Sequence, residues 1–346
     1  MGYEGCCGPK YKCKKKKCGS CREKIEFDVK CPPPINPLPN VNSVDHRRYT
    51  VGGGSGVSAN KYTVSVPAGT QFITIRSVGA GGGGGGQLSE VVRYTGGLID
   101  IAQPIQAGGG GGAGLVVDFS RPYSPGMSFP NTLNITVGPA ATVATDLTTG
   151  RGNDGGDSII SFSPSVPGWE DICAVGGRGG GVGRSTGDGL GEAGEGGDGS
   201  LGGGGGGELC LLIGVPPTVI LGAPGGTSKS GQNGEKGDNV TGGDGAQNPG
   251  SGSSGVAVPE YMAGGGGGGG SSLIAANSGG EGGPPGDIGT SNTGGDFKVQ
   301  DSGAPGGGAG IYQPTLAEEG STIFRSGGLA AHGVVDVWFY ISMPPS

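Results

Sequence analysis

The chain has 346 residues, 87 of them Gly and 25 Pro, and a formal net charge of −7. No Gly-X-Y period is sustained, since it breaks at Thr186, Ser228 and Val240, which argues against collagen. No apolar stretch reaches the length of a membrane span, because even Val334–Ile341 is interrupted by Asp336.

Charge is segregated along the chain. Residues 1–31 hold nine Lys/Arg and four Asp/Glu, net +5; the rest, with 22 less nine basic and 29 less four acidic residues, is net −12. A basic arm on an acidic body suggests an anchoring tail. Six of the eight cysteines lie in this arm: Cys6, Cys7, Cys13, Cys18, Cys21 and Cys31. A segment so short needs covalent or metal staples if it is to fold. Disulfides are the preferred reading, and six cysteines allow fifteen pairings. The alternative cofactor is zinc, held by Cys18-x-x-Cys21 with Cys13 and Cys31; free thiols are the third reading. The run Lys14, Lys15, Lys16 and Lys17 is an interaction candidate for an acidic neighbour, an anionic membrane or nucleic acid. Aromatic interleaving is thin there, which argues against base-specific reading. Met1-Gly2 invites a myristoylation reading, but Cys6 stands at the favoured Ser/Thr position. The N-terminus lacks the apolar core of a signal peptide, so synthesis in the cytosol without a secretion signal is expected.

Residues 32–59 read as a stiff Pro/Gly-rich spacer carrying His46-Arg47-Arg48. From residue 60 the pattern changes. Tyr62–Val66 and Phe72–Val78 alternate with period two around the turn Pro67-Ala68-Gly69, which predicts a hairpin. Further strands are expected at Leu115–Phe119, Leu133–Val137, Ser158–Phe162, Ile172–Val175, Glu208–Ile213, Thr218–Leu221 and Thr322–Phe324. Gly333–Met343, rich in β-branched and aromatic residues, reads as a central strand. No segment shows sustained helical periodicity with caps.

Between these strands lie four unbroken glycine runs, Gly81–Gly86, Gly108–Gly112, Gly202–Gly207 and Gly264–Gly270, and stretches with glycine every third residue, as at Gly280, Gly283, Gly286 and Gly289. A flexible linker is one reading. The other is a bundle of polyglycine-II helices: three residues per turn, no internal hydrogen bonds, and N–H and C=O groups pointing sideways to neighbours. A rod surrounded on all sides needs glycine at every position, and one at the edge only at every third. No aromatic occurs between Trp169 and Tyr261, so backbone pairing rather than an ordinary core must hold the middle of the chain. The expected fold is all-β: a jelly-roll-like β-sandwich over 60–346 carrying a polyglycine-II slab, mostly within 176–310, plus the irregular Cys-rich arm 1–31.

Tyr62-Thr63-Val64-Ser65-Val66-Pro67-Ala68-Gly69, then Ile73-Thr74-Ile75, then Val78-Gly79-Ala80 and the first glycine run, resemble the opening of a glycine-rich domain found in phage tail and other viral structural proteins. Leu133–Gly138, Cys173–Gly177 and the closing strand Val334–Ile341 are similar to its later signatures, so the resemblance spans roughly residues 60–343. It implies a binding or structural role without catalysis. The long acidic insertions and the Cys/Lys arm depart from the family; the arm is similar in composition to virion proteins of large DNA viruses that assemble in host cytoplasm. Related modules occur in receptor ectodomains.

Little in the sequence points to chemistry. The only histidines are His46, in the spacer, and His332, read as structural; neither is near a nucleophile motif. Matches to G-x-G-x-x-G arise by chance in so glycine-rich a chain, and Gly225–Ser230 only approximates a phosphate loop, with Ser228 in place of glycine. Asp188, Glu192, Glu195, Asp198 and Asp244 lack calcium-site spacing and read as solvated rod edges. Asn134-Ile135-Thr136 and Asn239-Val240-Thr241 fit the glycosylation pattern, read as coincidence without a secretion signal. Cys173 and Cys210, on apolar strands, are expected to be buried. The sequence therefore suggests a non-enzymatic minor capsid or cement protein that contacts the major capsid protein and other virion proteins. A fibre adhesin for a host surface receptor and a receptor-type ligand-binding module are the alternatives.

Overall fold

The computed structural model describes residues 41, 43–52, 60–95, 100–102, 105–122, 130–141, 143–185, 193–206, 209–211, 218–220, 256–258, 261–263, 267–269, 273–275, 278–282, 293–312 and 314–342. The described residues include sixteen strands: β1 (Ser43–Thr50), β2 (Lys61–Ser65), β3 (Thr70–Val78), β4 (Gln87–Glu90), β5 (Arg93–Thr95), β6 (Asp100–Ala102), β7 (Val116–Pro122), β8 (Thr132–Thr136), β9 (Ser158–Ser163), β10 (Ile172–Ala174), β11 (Leu209–Leu211), β12 (Thr218–Ile220), β13 (Val256–Val258), β14 (Tyr261–Ala263), β15 (Thr322–Arg325) and β16 (Val334–Ile341). One short 3-10 turn, Leu316–Glu318, is the only helix among the described residues. The fold is all-β, and its sheets are antiparallel.

Two four-stranded sheets, ordered β1-β16-β3-β7 and β10-β9-β8-β2, share one apolar core. Period-two alternation turns Ile73, Ile75, Val335, Val337 and Phe339 of the first sheet toward Leu133, Ile135, Ile160 and Phe162 of the second. Trp169 packs against both Phe119 and Phe162 at one side of this sandwich. As the sequence suggests, β16 is central, lying between β1 and β3.

Two sequence expectations are corrected. Tyr62–Val66 and Phe72–Val78 do not form a hairpin: β2 pairs with β8, and β3 pairs with β16 and β7. The turn at Gly69, with φ +78°, carries the chain from one sheet to the other. Alternation shows that each strand has a buried face but is silent on which strand lies beside it. Residues 43–50, read as spacer, form the edge strand β1, paired with β16 over its whole length.

Beside the sandwich the glycine segments form a laterally bonded lattice. In Gly81–Gly86 the amide donors step through three neighbours in turn. Gly81 and Gly84 donate to Ala331 and Gly328, Gly82 and Gly85 to Gly112 and Gly109, and Gly83 and Gly86 to Asn153 and Gly150. The carbonyls follow the same step: Ala80, Gly83 and Gly86 accept from Gly177, Gly180 and Gly183, while Gly82 and Gly85 accept from Gly306 and Ala309. The donors and acceptors of this segment therefore repeat with a three-residue period, with partners on several sides. Its glycines are required by space: a Cβ at any position from 81 to 86 would lie 1.8–2.2 Å from a neighbour's carbonyl oxygen. At the lattice edge only every third residue faces inward. Gly194, Gly197 and Ser200 are buried, while Glu195 and Asp198 are exposed.

Candidate interaction surfaces

Gln87 ends the Gly81–Gly86 rod and marks where it joins β4. Its fully buried amide nitrogen is directed at the carbonyls of Ile105, Gln106 and Gly310. The lattice thus terminates on a side chain that replaces backbone donors. Gln106 next to it is fully buried, with both side-chain amide atoms unpartnered.

The outward face of the first sheet is the first exposed surface with organised chemistry. The register places Arg48, Asp336, Arg76 and Asp118 side by side across the four strands. Arg76 grips Asp118 with two bonds, Nε to Oδ1 at 2.7 Å and Nη2 to Oδ2 at 3.1 Å, and this pairing raises the guanidinium pKa against a smaller effect of burial. Asp336 interrupts an otherwise apolar strand. His46 Nε2 lies 2.9 Å from its Oδ1 and Arg48 Nε 3.7 Å from the same atom. The next row is His46, Trp338, Thr74 and Ser120, with the His46 and Trp338 rings stacked at 4.8 Å. The third row is Val44, Tyr340, Phe72 and Pro122, in which Phe72 meets Tyr340 edge-on. Sequence reading assigned His46 no role because β1 was not foreseen.

A second surface is an open groove of about 620 Å³ at the lattice edge, where Val143, Leu147, Phe324 and Leu329 stand around Gly295 and Asp296. Asp296 Oδ1 accepts from the Leu329 amide, so its carboxylate holds the groove wall.

His332 is a structural acceptor: its Nδ1 takes the Ala140 amide proton at 2.7 Å, and burial lowers its pKa. Asp301, at φ +50°, has its pKa raised by burial, and its Oδ1 has no hydrogen-bond partner. Cys173 is exposed rather than buried, because its strand β10 turns Ile172 and Ala174 inward and Cys173 outward. Cys210 lies in β11. The arm cysteines Cys13, Cys18, Cys21 and Cys31, and Lys14, Lys15, Lys16 and Lys17, lie outside the described residues, as do Asp188, Glu192 and Asp244. Among the described residues no group of three or more His, Cys, Asp or Glu is placed to hold a metal, and no helix is long and apolar enough to cross a membrane.

Residues 55–340 match the model of a glycine-rich domain. The chain belongs to this glycine-rich domain family. The match takes in the whole second sheet, the strands β3 and β7 and nearly all of β16 from the first, and the lattice between them; it begins after β1. No curated protein matches the chain.

Proposed function

We propose that this glycine-rich domain protein is a non-enzymatic structural component of a virion, a minor capsid or cement protein assembled in host cytoplasm. The observation that carries the reading is the lattice, in which backbone groups are spent on one another in every lateral direction. We read it as polyglycine-II packing. Such a body is stiff and flat-sided and offers neighbours large faces rather than a deep pocket. Gly81–Gly86 runs from the sandwich strand β3 into β4, and Gly108–Gly112 leads toward the sandwich strand β7; fixed ends lower the ordering cost of glycine. The basic cysteine arm serves as the tether to the major capsid protein and other virion proteins, with disulfides or zinc as its staple and acidic protein, membrane or nucleic acid as its contact.

Two measurements test this. Backbone amides of Gly81–Gly86 and Gly108–Gly112 should exchange hydrogen as slowly as those of β3 and β16; exchange at linker rates would remove the rigid body. Imaging of purified particles should then show many symmetry-related copies seated on capsid subunits. Copies confined to a fibre tip, with soluble protein blocking attachment to cells, would replace the cement role with a host-receptor adhesin. Absence from purified particles would end both readings.

A further inference from the structure

The outward face of the first sheet carries a charge pattern that is its own complement. Arg48, Asp336, Arg76 and Asp118 form one in-register row across β1, β16, β3 and β7, with signs plus, minus, plus, minus. Read backwards, the row is minus, plus, minus, plus. A two-fold axis lying in the contact plane and running along the strands performs that reversal. It turns a second copy face down, exchanges its edges and leaves every row at its own level. Arg48 then stands over the second copy's Asp118, and Asp336 over its Arg76. We propose that this face is a two-fold interface between copies of this chain.

The neighbouring rows agree with the same operation. Val44 comes over Pro122 and Tyr340 over Phe72, pairing apolar with apolar, while His46 meets Ser120 and Trp338 meets Thr74. Four of the side chains that must reach across are open: Val44 is 51% exposed, and the Arg48, Arg76 and Asp118 side chains are 53%, 45% and 58% exposed; the Asp336 side chain is 11% exposed, so the second copy's longer Arg76 is the partner that extends toward it. An axis running across the strands would instead set Arg48 over Arg48 and Asp118 over Asp118, which like-charge repulsion disfavours. Edge-to-edge growth of the sheet is disfavoured too. The edge strand β1 directs Asp45 and Arg47 to its inner side, where Arg47 donates to Asp45 and covers the Phe339 ring, a device that discourages a further strand.

With strands about 4.8 Å apart and residues rising about 3.4 Å, three rows of four residues cover roughly 350 Å² on each copy. Twice that area falls below the range of stable interfaces, so the pair is weak in dilute solution and fills when copies are held close together.

Sedimentation equilibrium of the full chain tests the interface, under reducing conditions so that cysteines do not link copies, from about 10 to 500 μM. A reversible dimer is expected, about tenfold weaker in 0.5 M than in 0.05 M salt. The double variant Arg76→Asp/Asp118→Arg keeps an opposite-charge pair within the chain but makes the row plus, minus, minus, plus, which opposes itself. It should weaken the dimer at least about tenfold. Val44→Glu, a change confined to an outward side chain, should weaken it independently. A monomer at every concentration, or a dimer indifferent to both changes, overturns the proposal.

Discussion

At Gly84 a methyl group would sit 1.8 Å from the carbonyl oxygen of Gly307. Nothing flexible can yield there, because the obstacle is another rod's backbone, itself bonded to Gly295 and Gly328. Gly84→Ala should therefore cost about 3 kcal/mol or more, beyond ordinary overpacking. Gly168 is the control. Its φ is +84° but an added Cβ meets nothing within 4 Å, so Gly168→Ala should cost only the left-handed backbone penalty, about 1 kcal/mol. Paired urea unfolding curves of the two variants separate crowding from conformation; equal shifts would contradict the lattice packing. His332 makes a second residue-scale case. Burial lowers its pKa from the ordinary 6.5, and its Nδ1 serves as an acceptor only when neutral. The unfolded chain then takes up the proton more readily than the folded one. Stability from this group is present above the ordinary value and is lost as pH falls through the folded pKa. Asp301 acts with the opposite sign and at lower pH, since burial raises its pKa from 3.8. Thermal midpoints should decline on acidification from pH 7 toward 5, and His332→Gln should flatten that slope.

Under the proposed polyglycine-II packing, the glycine segments are elements with a phase. Each step of three residues returns a donor to the same neighbour, so inserting one glycine after Gly83 would turn every later amide by a third of a turn onto the wrong rod. Inserting three keeps the phase and displaces the register by about 9 Å. The single insertion should lower the yield of soluble folded protein more than the triple one, although it adds less chain. The reverse ranking would show that length rather than phase governs the lattice. This periodicity was visible in the sequence as unbroken runs beside glycine at every third residue. Several strand positions were visible as well, because β8 and β9 alternate between core and solvent and β3 does so over Ile73–Ser77, whereas the short strands β4, β5, β6, β13 and β14 carry no such pattern long enough to read. Strand β1 was hidden because Asp45 and Arg47 occupy its inward positions, so its pattern resembles a charged spacer. Its place depends on pairing with β16, from the far end of the chain. The charge row shares that origin: Arg48, Asp336, Arg76 and Asp118 are adjacent only once three long-range registers are known.

At the scale of the whole molecule, two kinds of interior are joined. The sandwich buries aliphatic and aromatic side chains in a single cluster, whereas the surrounded rods bury peptide groups with almost no side chains. These interiors have opposite heat-capacity signatures, because exposing apolar surface raises the heat capacity and exposing peptide surface lowers it. Ordinary domains gain about 12–15 cal/mol/K per residue on unfolding. A chain in which much of the buried surface is backbone should fall clearly below that range, with a flatter stability curve and weak cold destabilisation. Calorimetry on the reduced full-length protein measures this directly. The outcome separates the lattice from a flexible linker by the unfolding enthalpy. Rods locked to the sandwich should unfold with it in one transition whose calorimetric and van't Hoff enthalpies agree. A small sandwich beside unstructured glycine would also show a low heat-capacity change per residue, but its unfolding enthalpy per residue would fall equally far below about 0.7 kcal/mol. Retained enthalpy with depressed heat capacity is therefore the signature expected of hydrogen-bonded glycine rods, and loss of both together would contradict them.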